Sequence, residues 1–155
     1  MSALYEISGR CHCGNIEYEF TSPLQKTELP IRTCDCSFCT KQGACYTSHP
    51  QGKLVARIKD RTLLQTYRFG SEAADAYICR QCGVYPFIAS ELDGTLYAVL
   101  NANSINGLHI AGPSSLRHNN CQIRLKKSER PVGSEPGLGM WRSCSASRQN
   151  TGFKN

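Results

Sequence analysis

The sequence predicts a mainly β domain built from short antiparallel strands and clipped by metal, and three observations carry the prediction. Apolar and polar residues alternate over several runs, no long amphipathic helix can be traced, and cysteines recur in tight groups with metal-ligand spacing. With 155 residues, 40% hydrophobic and 19% charged, the chain is long enough to bury one core without disulfide staples.

In chain order, "LYEISGRCHCGNIEYEF" sets Ile16, Tyr18 and Phe20 against Glu17 and Glu19, the period-two pattern of a strand with one buried face. "TLLQTYRF" is rich in residues that suit a pleated surface, and "AYICRQCGVYPFIAS" and "GTLYAVLNANSI" continue the pattern. Turn signals separate these runs: Ser22-Pro23, Pro50-Gln51-Gly52, Phe69-Gly70-Ser71, Asp93-Gly94 and Asn106-Gly107. From about Lys126 the composition shifts to Gly, Pro and Ser without periodic apolar residues. Residues 1–125 therefore read as the domain, and 126–155 as a tail that is either disordered or pinned by Met140 and Trp141.

The first residues, "MSALYEISGR", show no apolar run behind a basic start, and no stretch approaches the roughly 18 apolar residues of a membrane span. The expected setting is a reducing, cytoplasmic one, which favours metal over disulfides for ten cysteines. The net charge of +6 is scattered, with no Arg/Lys-rich helix, so it argues against nucleic acid and fits a solvated surface or a small acidic ligand.

Seven cysteines form three groups, Cys11/Cys13, Cys34/Cys36/Cys39 and Cys79/Cys82, while Cys45, Cys121 and Cys144 are scattered. "CHCG" and "CRQCG" both end in glycine, as expected where a backbone wraps a metal and needs positive φ after the second ligand. Cys11, Cys13, Cys79 and Cys82 then make one closed tetrahedral site across about 65 residues of chain, where a clip constrains the unfolded chain strongly. The Cys34/Cys36/Cys39 triplet keeps three thiolates and an open fourth position. A second partition stays open on spacing alone: Cys11/Cys13/Cys34/Cys36 with Cys39/Cys45/Cys79/Cys82, a purely structural double-zinc module. Cys45 is the reserve ligand, and Cys121 and Cys144 read as core or surface thiols. His12, between two ligands, should point away from the metal, and His49, His109 and His118 read as surface or loop residues.

"GRCHCGNIEYEF", "CDCSFC", "YICRQCGVYPF" and "LNANSINGL", in this order over roughly residues 5–110, resemble the glutathione-dependent formaldehyde-activating enzymes and the centromere protein V-like proteins that share their domain. The resemblance implies the Mss4-like β fold, small antiparallel sheets held together by zinc. It implies two Zn²⁺ sites, a structural one at Cys11, Cys13, Cys79 and Cys82 and a catalytic one at Cys34, Cys36 and Cys39. It also implies a carbon–sulfur lyase of the S-(hydroxymethyl)glutathione synthase type, acting on glutathione and formaldehyde or a related thiol adduct. The other functional classes are a non-catalytic zinc module that binds protein or chromatin, and a carrier of the glutathione adduct. Lys41, Asn101 and Asn103 are the expected partners of the glutathione carboxylates, and Asp35, between two ligands, should face away. The chain departs from the family pattern in placing Thr40 before Lys41 and in reading Asn101-Ala-Asn-Ser-Ile-Asn-Gly107, where relatives often carry a cysteine at the Ser104 position and a carboxylate at the Asn106 position. Ser104 and Asn106 are expected to shape the pocket beside the metal.

Overall fold

The computed structural model describes residues 4–110 and the backbone of two further strands, at 117–118 and 140–143. In chain order the strands are β1 (Tyr5–Arg10), β2 (Ile16–Ser22), β3 (Arg32–Thr33), β4 (Cys45–Thr47), β5 (Lys53–Ile58), β6 (Leu64–Tyr67), β7 (Asp75–Cys79), β8 (Phe87–Leu92), β9 (Thr95–Asn101), β10 (Arg117–His118) and β11 (Met140–Ser143). One helix, α1 (Ser37–Gln42), and 3-10 turns at Arg61–Leu63 and Ala102–Ser104 complete the described elements.

Two antiparallel sheets result. In the first, β1 pairs with β2 from Tyr5↔Ser22 to Arg10↔Glu17, and β5 lies against the other edge of β2, Ile16 opposite Ile58. In the second, β6, β7, β8, β9, β4 and β3 follow one another, all antiparallel. The β8–β9 hairpin turns at Asp93-Gly94, both with positive φ (51° and 71°), the backbone that a two-residue turn needs to match strand twist. β11 joins the two sheets, antiparallel to β5 and parallel to β9, and β10 runs parallel to β3. β11 falls within the stretch expected as a tail, most of which lies outside the described residues.

The main core lies between the sheets. Ile7, Ile16, Tyr18, Phe20 and Leu54 of the first sheet meet Phe87, Ala89, Ala98 and Leu100 of the second. Each large apolar side chain fully removed from water here contributes about 1.5–3 kcal/mol. A smaller cluster covers the opposite face of the second sheet, with Ala76, Tyr46 and Tyr85 packed under Cys39 and Ala44. Strand alternation sorts neighbours between the two: along β7, Tyr77 and Cys79 belong to the main core, whereas Ala76 and Ile78 belong to the smaller cluster.

Besides β10 and β11, the strand runs read off the sequence miss β3, β4, β5 and α1. β3 and β4 have two and three residues, too few to show a period. β5, "KLVARI", places three apolar residues in a row between basic ones, because it sits inside the sheet beside β2 and β11. α1 has only six residues and is held by its caps, not by an amphipathic stripe.

Candidate functional site

Cys11 directly follows β1, Cys13 lies in the turn to β2, Cys79 ends β7, and Cys82 lies in the turn to β8. The two turns are built alike. Gly14 N–H donates to the Cys11 carbonyl (3.1 Å) and Gly83 N–H to the Cys79 carbonyl (2.8 Å), with φ at 78° and 75°. The glycines thus occupy the left-handed region that the cysteine spacing called for. All four sulfurs lie within 4.8 Å of one another, with Cys11 to Cys13 at 3.7 Å and Cys13 to Cys79 at 3.5 Å. A tetrahedral thiolate site with metal–sulfur bonds of about 2.3 Å has sulfur–sulfur edges of about 3.8 Å, so these spacings suit one small ion.

The electrostatics of Cys82 and Cys13 point the same way. Burial works to raise Cys82, but N–H groups of Cys13 and Val84 and the Cys79 and Cys13 thiols hold it down, to about 6. At Cys13 the Asn15 N–H favours the thiolate, yet burial and the three neighbouring thiols together push it up to about 12. Of these two the thiolate is favoured at Cys82 and opposed at Cys13, because like charges this close disfavour ionising together without a cation among them.

The triplet is built differently. Cys36 is the N-cap of α1, its sulfur accepting from Cys39 N–H at 3.4 Å in the role that Ser or Asp usually fills. Gly43 closes the helix at φ 60°, its N–H directed to the Cys39 and Thr40 carbonyls. One helical turn thus brings Cys36 and Cys39 beside Cys34, and the three sulfurs lie within 4.8 Å of one another. The triplet and the four-cysteine group form separate clusters on opposite faces of the second sheet, Cys79 in the main core and Cys39 in the smaller cluster. The sulfurs thus group as four and three, not as Cys11/Cys13/Cys34/Cys36 with Cys39/Cys45/Cys79/Cys82.

Cys45, the reserve ligand, points into the main core, away from the triplet, because it neighbours Tyr46 on β4 and alternation sends the two to opposite faces. Burial raises its thiol. Among the described residues the triplet therefore has three sulfurs and no fourth; Cys121 and Cys144 lie outside the described residues. Burial likewise raises Cys34 and Cys39, while Cys36, against its own burial, is lowered by the Cys39 N–H and by its two neighbouring thiols. Soft all-sulfur donor sets of this kind select zinc, copper(I) or iron–sulfur centres over magnesium or calcium. Each cluster can hold a metal ion.

Lys41 is exposed in the last turn of α1, and exposed Asn103 donates from Nδ2 to the Gly43 carbonyl (3.1 Å), so both stand at the same end of the helix. Asn101 is different: it is buried, donates from Nδ2 to the Tyr85 carbonyl (3.0 Å) and accepts from Asn103 N–H (3.2 Å), fixing the 3-10 turn. Asp35 and His12 are exposed. Ser104 and Asn106 do not shape the triplet. Ser104 is buried against Tyr18 Oη (3.0 Å) and the Asn101 and Pro86 carbonyls, and Asn106 bonds Ser8 and Lys26, because the 3-10 turn after β9 carries the chain back towards β1.

Several neighbours of the triplet escaped the sequence reading. Tyr46 Oη lies 3.1 Å from Cys39 Sγ and 2.8 Å from Tyr85 Oη. Phe38, between two ligands in sequence, packs its ring on Tyr67, Phe69 and Tyr85 at 4.9–5.5 Å. Arg32 is the direct cross-strand partner of Tyr46, so it shares the triplet's face of the sheet, and its guanidinium donates to Ser48 Oγ. Assigning β4 would have found Tyr46, since period two places it opposite Cys45, whereas Arg32 follows only from the register of β3 on β4.

The sequence model of the family described as "Glutathione-dependent formaldehyde-activating enzyme" matches residues 6–118. Among solved structures, a crystal structure of a Rhodobacter sphaeroides protein is similar, with a TM-score of 0.50 and 28% identity, over 66% of this chain and 90% of that one.

Proposed function

Because the chain belongs to the family of glutathione-dependent formaldehyde-activating enzymes, we propose that it is a zinc-dependent carbon–sulfur lyase that joins glutathione to formaldehyde, or acts on a related thiol adduct, at the Cys34/Cys36/Cys39 site. The observation that carries the proposal is the count of sulfurs among the described residues: three converge, and the reserve thiol, Cys45, faces the other side of the sheet. Three protein ligands leave a position for substrate, as catalytic sites do, whereas four close a structural one. In the reaction the thiol S–H and the carbonyl π bond are consumed, a C–S and an O–H bond form, and no electrons are exchanged with an outside partner. When bound at the triplet, zinc supplies Lewis acidity without redox chemistry and lowers the pKa of a thiol or water beside it.

The chain's own groups do the rest. Cys36 and Cys39 are set by the capped helix, and Cys34 by the end of β3. Phe38 packs in the same apolar cluster as Cys34, Cys36 and Cys39, and its ring lies against Tyr67 and Phe69, which extend an aromatic surface beside the site. Lys41 and Asn103, at one end of α1, supply a cation and an amide for the peptide's carboxylates, and Arg32 adds a second cation on the same face. Asn101 acts on this site through Tyr85 and Asn103. Cys11, Cys13, Cys79 and Cys82 hold the structural ion.

The test is calorimetry of the zinc-loaded full chain with glutathione, cysteine and S-methylglutathione, together with the rate of adduct formation followed by NMR. Glutathione should bind and adduct formation should accelerate, S-methylglutathione should bind far more weakly, and Cys39→Ser should abolish both. Binding that survives both S-methylation and Cys39→Ser overturns the metal-centred site and favours a protein or chromatin partner. Binding without acceleration leaves a carrier.

A further inference from the structure

The hydroxyls of Tyr46 and Tyr85 form a short buried chain that ends on one sulfur of the triplet. Cys39, Tyr46 and Tyr85 are only 4%, 7% and 2% exposed, and the contacts are 3.1 Å from Cys39 Sγ to Tyr46 Oη and 2.8 Å from Tyr46 Oη to Tyr85 Oη. Neither Cys34 nor Cys36 has such a hydroxyl partner among the described contacts. Cys36 instead accepts a backbone N–H as a helix cap.

Geometry alone leaves the direction of the two hydrogen bonds open, but chemistry settles it once Cys39 is a ligand. A metal-binding cysteine is a thiolate and can only accept, so Tyr46 must donate to it. Tyr46 has a single proton, so its oxygen must accept from Tyr85. The chain then runs Tyr85 to Tyr46 to Cys39, a charge-assisted hydrogen bond reinforced by a second one behind it. Two elements hold it in place. Tyr46 is fixed in β4 opposite Asn101, and Asn101 Nδ2 holds the Tyr85 carbonyl at 3.0 Å. Phe38 closes the side of the Tyr85 ring at 5.5 Å.

We propose that Tyr46 and Tyr85 are positioning residues that stabilise the Cys39 thiolate and so set the metal affinity of the triplet without touching that of the four-cysteine cluster. The inference rests on the reading of the triplet as a metal site. A buried thiolate deprived of its donor loses a favourable charge-assisted bond that no water can replace, whereas the four-cysteine cluster on the other face of the sheet is unaffected.

The experiment loads the full chain with Co²⁺, and separately with Zn²⁺, and measures both dissociation constants by chelator competition for wild type, Tyr46→Phe and Tyr85→Phe. For Tyr46→Phe the weaker constant should rise roughly 10-fold or more, the size expected for loss of an outer partner of a ligand, with the tighter constant unchanged. Tyr85→Phe should move the same constant in the same direction by less. The sulfur-to-cobalt absorption of the weaker site should shift to lower energy in Tyr46→Phe, because a thiolate without a donor releases charge more readily. Wild-type protein that takes up two ions, with unchanged affinities and an unmoved band in both variants, overturns the inference while leaving the triplet a metal site. A lowered melting temperature with both constants unchanged does the same, since that is what a merely structural role predicts. Wild-type protein that takes up only one ion removes the triplet site and the inference with it.

Discussion

Cys39 and Cys79 are both buried thiols, yet they should respond differently to the loss of sulfur. Cys79 is the last residue of β7, and its sulfur sits 3.5 Å from that of Cys13, which lies 66 residues earlier, next to the other sheet. Cys79→Ser leaves a poorly held ion and three crowded thiols at a junction that both sheets need, so the variant should fail to reach a folded, soluble state. Cys39 closes no long loop: its cluster partners Cys34 and Cys36 are five and three residues away. Cys39→Ser should therefore fold and lose only the triplet ion. Circular dichroism melts and metal content of the two variants test this, and equal behaviour would refute the division of labour.

At the scale of elements, the first cysteine turn is anchored to the turn before β6. Asn15, directly after Gly14, pairs with the backbone of Asp60, donating from Nδ2 to its carbonyl (3.0 Å) and accepting its N–H on Oδ1 (2.8 Å). The Asp60 carboxylate in turn caps the 3-10 turn Arg61–Leu63, accepting from Thr62 Oγ1 (2.6 Å) and Thr62 N–H (2.9 Å). These two bonds hold the Asp60 carboxyl below its ordinary range. A carboxylate depressed on folding adds stability that is fully present above the unfolded value, about 3.9, and is lost as pH falls through the lower folded value. Asp60→Ala should therefore lower the denaturation midpoint at pH 7, and the difference from wild type should shrink as pH falls below about 3.9. Denaturant melts at pH 7 and pH 3 measure it, and a difference that grows in acid would contradict the cap.

For the whole molecule, the two clusters predict two metal ions of unequal fate. The triplet lies on the outer face of the second sheet, at a six-residue helix, with Cys34 and Cys36 part-exposed. The four-cysteine cluster ties the β1–β2 hairpin to the β7–β8 connection, with Cys11 and Cys79 in the main core. An ion bound there would add its binding free energy to that of folding. Purified protein should carry two ions, one removed by a mild chelator with secondary structure intact, the other released only as the chain unfolds. Metal analysis beside circular dichroism during chelation follows both, and equal resistance would mark both sites as structural.

Cysteine spacing and two glycines were enough to divide seven thiols into four and three, because a tight turn imposes its own local geometry: Gly14 and Gly83 have the positive φ that their place after the second cysteine implied. The β class was legible too, since alternation along β2 follows from burying one face of the strand, while β7 and β9, packed on both faces of the second sheet, show it as residues sorted between two apolar clusters. Tertiary structure alone decided what surrounds the sulfurs. Cys45 looked available to the triplet from its spacing, but a three-residue strand turns it to the other face and turns Tyr46 towards Cys39. Asn101 looked free for substrate, but a residue 16 positions away claims its amide. Ser104 and Asn106 looked like pocket residues, but the turn after β9 sends them to Tyr18 and Ser8. The reason is common to all of these: ligand spacing and strand period are set by neighbours along the chain, whereas a side chain's partners are set by which strands pair and in what register.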